Sequence, residues 1–405
     1  MRATLLRALV VVCAAAPVAA PVAAQREPTE PPIDSLMAWA RRDSLDARAA
    51  FDLGMGFWSV GRHDRADTAF RRALVLSPHY AEPRLALALL PFGRGERYLT
   101  DLRHRVGVDS LLGIVRASAK FYREAYLLEP LVDPRILRYL NIEELVPRQN
   151  RMEIANGKIF SMGVPWWEAR TKRGVRALTE GRYDEAFTIL DEVLHSRQMQ
   201  QGAVLPDLFI WYYGLVAAHA AKYDRAAAAF RELAQRAHRR VTNDPDWVIP
   251  SSRSDYLFLY AAMSEQAGNL GVAIPAFEEA LTADFGLFEA HSWLADIHES
   301  RGDVVSAIAE RERAVDTSPE TGKLHLDLGV TLLQAGRAVA AESAFVAAAR
   351  LLPYDAGAQQ FLATIALQNG HPDTARPALE RFVLVAPARY AEQVAEARRK
   401  LTELP

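Results

Sequence analysis

The residues able to do chemistry are few and scattered. His291 and His298 stand seven apart, two helical turns on one face, yet no HExxH pattern accompanies them. His325 has Gly329, not a ligand, one helical turn on. Asp244 and Asp246 form an acidic pair in the stretch DPDW, where aspartate is common as a turn residue. There is no glycine-rich phosphate loop and no GxSxG elbow to expose a nucleophilic serine. The one cysteine, Cys13, sits in an apolar run near the start of the chain. The expectation is a protein without catalysis, cofactor or metal, and attention moves to the elements that carry its side chains.

The start of the chain has the make-up of a cleavable secretory leader over residues 1–24. Arg2 and Arg7 give a positive start, Ala8 to Ala20 an apolar core broken only by Pro17, and Val22-Ala23-Ala24 small residues before Gln25. The run is short for a membrane span, and Val12 ahead of Cys13 does not fit a lipidation site. The expectation is export to a periplasmic or secreted location. Cleavage would remove the cysteine, so burial and not disulfides must hold the fold. Residues 25–32 (QREPTEPP) are expected to form a Pro-rich tether. Loss of Arg2 and Arg7 would leave 46 basic against 50 acidic residues, a balance that excludes general attraction to nucleic acid. No later segment is apolar enough to span a membrane.

The dominant feature is a repeat with a period of 34 residues. Leu328-Gly329, Gly336, Ala341, Phe345, Ala348 and Pro353 return as Leu362-Ala363, Gly370, Ala375, Leu379, Phe382 and Pro387. One period earlier the string is Leu294-Ala295, Gly302, Ala307, Arg311, Ala314 and Pro319. Leu53-Gly54, Gly61, Ala66, Phe70, Ala73 and Pro78 repeat it near the start. Looser copies hold Gly174, Gly181, Ala186 and Leu190; Tyr213-Gly214, Ala226 and Phe230; and Tyr260-Ala261, Gly268, Ala273 and Phe277. Small residues let two helices cross closely, a glycine reverses the chain, and the aromatic fills the space toward the next unit. One such unit cannot bury its own apolar face, so neighbours must stack.

This pattern resembles the tetratricopeptide repeat family. The resemblance implies an all-α, right-handed helix–turn–helix solenoid of about seven to eight units with insertions. The expected layout is N-terminal repeat-like helices over 33–130 with an insertion at 93–107, and an irregular insertion at 131–165. Middle units at 166–238, a C-terminal array at 254–387 and a capping helix at 388–405 follow. Within 33–130, residues 110–128 are expected to be the second helix of the second unit, with Tyr122 and Ala125 at repeat spacing. Trp166 and Trp167 are expected to pack the 131–165 insertion back onto the solenoid.

The resemblance also implies a concave groove lined by the first helix of each unit. The positions carried over include Trp58, Leu208, Trp211, Asp255, Phe258, Glu265, Glu289, Asp296 and Glu299. Aromatic residues beside an acidic stretch would suit a protein or peptide segment with apolar anchors and basic residues. The expected function is thus an exported scaffold or adaptor for a protein partner in the cell envelope. The alternative is a binder of an extended glycan that stacks on Trp211, Trp247, Trp166 and Trp167.

Overall fold

The computed structural model describes residues 32–94, 113–146, 152–155, 158–161, 166–239 and 252–404. The expected leader, the tether before Pro32, most of 93–107 and Trp247 lie outside the described residues. The fold is an all-helical solenoid in which antiparallel helix pairs stack side by side. Helix α1 (Ile33–Arg42) precedes the first pair, α2 (Ala47–Ser59) and α3 (His63–Leu76). Helix α4 (Ala81–Leu89) and α5 (residues 113–128) follow. After a short α6 (Ile142–Leu145) come α7 (Glu168–Thr179) and α8 (Tyr183–Leu194), and then a single turn, α9 (Arg197–Gln200). The fourth and fifth pairs are α10 (Asp207–His219) with α11 (Tyr223–Arg239), and α12 (Arg253–Gln266) with α13 (Leu270–Ala283). The last three are α14 (Phe288–Ser300) with α15 (Val304–Thr317), α16 (Gly322–Gln334) with α17 (Ala338–Leu351), and α18 (Ala356–Asn369) with α19 (Pro372–Val385). Helix α20 (Ala391–Glu403) covers the end.

The repeat residues act as their chemistry requires. A Cβ on Gly329 would lie 2.5 Å from the Phe345 ring, and one on Gly54 2.5 Å from Phe70, so the first helix of a unit approaches the second only without a side chain there. Phe70, Phe230, Phe277, Phe345 and Phe382 are wholly buried. Side chains at several helix starts accept a hydrogen bond from a first-turn amide: Asp46 from Arg48, Asp303 from Ser306 and Asp355 from Ala358. Pro275 and Pro377 sit in the second turn of their helices, each of which continues to its full 14 residues.

The reversal between the two helices of a unit uses a left-handed residue. Gly61, Gly181, Gly268, Gly302, Gly336 and Gly370 all have φ between 71° and 78°, whereas the fourth unit places Ala221 there at φ 55°. A left-handed conformation costs a residue with a Cβ roughly 1–2 kcal/mol, partly offset for glycine by its larger unfolded-state entropy. Ala221→Gly is therefore expected to raise stability by roughly 0.5–1 kcal/mol, seen as a higher urea midpoint at unchanged slope. An unchanged or lower midpoint would show that Ala221 carries no strain.

The second unit departs from the pattern. Residues 113–128 are helical as expected, but the stack position between α4 and α7 is taken by the next segment, a 3-10 turn at Pro134–Tyr139 followed by α6. Val132, Ile136, Leu137, Leu145 and Val146 are buried there, Tyr139 stacks on Trp58 at 4.8 Å, and Tyr212 Oη donates to the Leu145 carbonyl at 2.9 Å. The first half of the 131–165 insertion is thus core. Its later part holds a two-stranded antiparallel hairpin, β1 (Met152–Ala155) and β2 (Lys158–Ser161), the exception to the helical fold among the described residues. Trp167 is buried and Trp166 half-buried against the same core.

The solenoid curves until its ends meet. Arg389 Nη1 donates to Asp46 Oδ2 at 2.8 Å, and the guanidinium groups of Arg72 and Arg381 lie 5.6 and 5.3 Å from the Tyr354 ring. Leu45 packs against apolar residues of both the N-terminal and the C-terminal core.

Candidate partner-binding groove

The first helices of the units, α10, α12, α14, α16 and α18, present one face to the concave side. A groove helix open to solvent should keep an exposed stripe. Helix α10 has none: every residue from Leu208 to Ala218 is buried, and α12 is nearly as covered. Helix α5 is the cover. Instead of sitting in the stack, it lies in the groove with Tyr122 and Tyr126 against Trp211. The Trp211 Nε1–H donates to Tyr122 Oη at 3.2 Å, and the Tyr126 ring meets Trp211 edge-on at 5.2 Å. Beside them Arg123 Nε donates to both carboxylate oxygens of Asp255, at 2.8 and 3.0 Å, and its Nη2 reaches Asp284 at 3.3 Å. Arg84 of α4 holds Glu124 of the same helix at 3.1 Å.

The expected groove residues therefore divide. Trp58, Leu208, Trp211, Asp255 and Phe258 are buried and face the chain's own segments, not solvent. They cannot meet a partner without unfolding part of the protein. Glu265 is half-buried at the end of α12, beside Gln266, and burial raises its carboxyl pKa. Glu289, Asp296 and Glu299 line what remains of the groove, a cavity of about 680 Å³ over the last three units.

That cavity has an apolar floor and an acidic rim. Trp293, Leu326, Val330, Leu333 and Phe361 form the floor, and Leu127, Leu128 and His79 wall it on the side of the N-terminal units. Four carboxylates line it (Glu289, Asp296, Glu299 and Asp327), with Arg311 and Lys323 as the cations. Lys323 pairs with Asp327. Burial pushes the Glu289 carboxyl up to about 7 against the opposing pull of Arg123, and Asp255 and Glu124 raise it further. His79 is pushed down to about 4 by burial, helped by Lys323 and Arg84 and opposed by Asp327, so it is neutral at pH 7.

Arg311 occupies the position that is aromatic or leucine in the other units. It is 6% exposed, and its guanidinium crosses from α15 to pair with Asp296 and with Glu299, the latter at 3.4 Å. It also donates to the Ser292 carbonyl at 3.3 Å and to Thr331 Oγ1 at 3.4 Å, while Thr331 itself donates to Glu299. Two of the three rim carboxylates expected from sequence therefore neutralise a buried cation. Charge reversal at Asp296 and Glu299 would therefore disturb the packing around Arg311.

The histidines do not converge. His291 Nδ1 lies 2.7 Å from Glu310, His298 lies 3.5 Å from Asp303, and His325 Nε2 faces the Pro319 carbonyl at 2.8 Å. Among the described residues no helix is long and apolar enough to cross a membrane.

Stacked helical pairs around a lined groove define a helical-repeat protein. The tetratricopeptide repeat family model matches residues 264–320 and 307–356, so the units in this stretch are tetratricopeptide repeats. No curated protein sequence matches the chain. Among solved structures, the C-terminal part of a TPR repeat-containing protein from Cytophaga hutchinsonii is similar at 18% identity, with 56% of this chain and 84% of that one covered and a TM-score of 0.43. Yeast Tom70 is similar at 13% identity, covering 92% of this chain and 91% of that one, with a TM-score of 0.33. The Cut9 assembly with Hcn1 is similar at 12% identity over 87% of this chain and 76% of that one, with a TM-score of 0.39. These likenesses are of fold alone. The fold is typical of non-catalytic scaffolds and consistent with protein partners.

Proposed function

We propose that this protein is an exported, non-catalytic scaffold that holds a segment of a cell-envelope partner in the C-terminal half of its groove. The supporting observation is the cavity over the last three units, whose apolar floor and excess of carboxylates match a segment with apolar anchors and basic residues. The partner site is shorter than the sequence pattern implies, because α5 already fills the groove at α10 and α12. The glycan alternative loses two of its platforms, since Trp211 and Trp167 are buried.

A photo-crosslinking residue at Val330, on the cavity floor, should trap a protein from envelope extract. The same residue at Val305, exposed at the start of α15, should not. Equal trapping at both positions, or trapping at neither, would overturn the reading.

A further inference from the structure

Helix α5 belongs to the chain itself, yet it meets the groove as a bound helix would. Two tyrosines lie on Trp211, and Arg123 donates to Asp255. Glu289 stands one 34-residue period after Asp255, at the same place in the next unit. Leu127 and Leu128, the last residues of α5, wall the cavity that Glu289 lines. Leu128, Arg123 and Glu289 also line one smaller pocket, so the acid lies beside the end of α5. The other three carboxylates of the cavity are engaged, Asp296 and Glu299 by Arg311 and Asp327 by Lys323. Among the described residues Glu289 has no ion pair, and its side chain accepts no hydrogen bond from another residue. The charge of Arg123 reaches it, but Arg123 is bonded to Asp255 and Asp284. A further period on, the same place holds Lys323, a cation. Three successive units thus present an acid already filled, an acid left open and a cation.

We propose that Glu289 receives a basic side chain of the partner, and that the partner segment is an amphipathic helix following α5 along the groove. Its apolar face lies on Trp293, Leu326 and Val330, and an arginine or lysine meets Glu289 as Arg123 meets Asp255. This deepens the reading under Proposed function and rests on it. A carboxylate set against apolar walls attracts a cation more strongly than one in open water, and the charged hydrogen bond that forms is among the stronger kinds. Lys323 with Asp327 offers no open acid one unit further on, so the basic residue of the segment belongs at α14.

The probe is an acetylated peptide with the sequence of α5, GIVRASAKFYREAYLL, beside a second in which its three basic residues are glutamine. Each carries fluorescein and is titrated by anisotropy at pH 8 against the protein and against Glu289→Gln. The basic peptide should bind the original chain about tenfold more tightly than it binds Glu289→Gln, and the glutamine peptide should bind both chains alike and weakly. At pH 6 the basic peptide should weaken on the original chain and not on Glu289→Gln, because burial holds the Glu289 carboxyl at about 7 and it loses its charge as pH falls. The groups around it, Arg123 and Glu124 of α5, Asp255 of α12, Arg84 of α4, and His79 and Glu320, are the same in both chains, so the difference between the chains reports Glu289. A basic peptide that fails to bind, or that binds both chains equally, as it would by exchanging with α5 on α10, overturns the assignment. So does a loss at Glu289→Gln shared by both peptides, which would mark altered packing. Trapping of an envelope protein at Val330 alongside any of these failures would leave the scaffold reading standing and remove only the role of Glu289.

Discussion

Trp211→Ala is expected to lower stability by about 3–5 kcal/mol, the range for losing a fully buried aromatic side chain. The more decisive result is its coupling to Tyr126→Ala. The two rings meet edge-on at 5.2 Å although they lie far apart in sequence, and neither is open to solvent. If α5 fills the groove, the double variant should lose less than the two single losses together, by roughly 0.5–3 kcal/mol, as residues in contact do. Urea unfolding followed by circular dichroism measures each corner of the cycle. Additivity to within about 0.5 kcal/mol would mean that α5 does not lie on α10.

Arg311→Ala should cost about 3 kcal/mol, near the lower end of what removing one member of a buried charge network costs. The lower end applies because Asp296 keeps much of its contact with water, its side chain being 62% exposed, while Glu299 is 25% exposed. The informative comparison is Arg311→Phe combined with Asp296→Asn and Glu299→Gln. That variant restores an aromatic ring where Phe277 and Phe345 stand in neighbouring units, and of the carboxylates around the lost cation it leaves only Asp327, which keeps its pair with Lys323. Buried ionic groups can often be replaced by apolar packing at no loss, so the triple variant should recover most of the stability of the original chain. A triple variant as unstable as Arg311→Ala would show that the space around residue 311 does not accept a ring. Both chains are compared by their urea midpoints.

The period of 34 residues made the stack legible because its small, glycine and aromatic positions each answer to a local packing need. Gly329 against Phe345 is such a case, and the register carried over from it brings Glu289, Asp296 and Glu299 to the groove. The fate of Trp211 was not legible in the same way. Its exposure depends on a helix about ninety residues earlier in the chain, and the repeat places that helix in the stack. The signals that could have found it were the break in the period near 93–107 and the run Tyr122-Arg123-x-x-Tyr126. That run has the aromatic and basic chemistry complementary to Trp211 and Asp255. Arg311 also stood visibly in an aromatic position, but one sequence does not show that Thr331 and Glu299, on two other helices, supply its partners.

The placement of α5 has a consequence for how the molecule comes together. Most contacts in a stack of units join segments near in sequence, and such contacts form early. The link from Arg123 to Asp255 spans 132 residues and that from Asp46 to Arg389 spans 343. During synthesis, Phe121, Tyr122 and Tyr126 therefore emerge well before Trp211 and Asp255 exist to cover them. The nascent chain carries an uncovered aromatic helix through that interval, a surface for which self-association and holding factors compete. The assembly order follows: the C-terminal array forms on its own local contacts, α5 docks once α10 and α12 are in place, and the two ends join last.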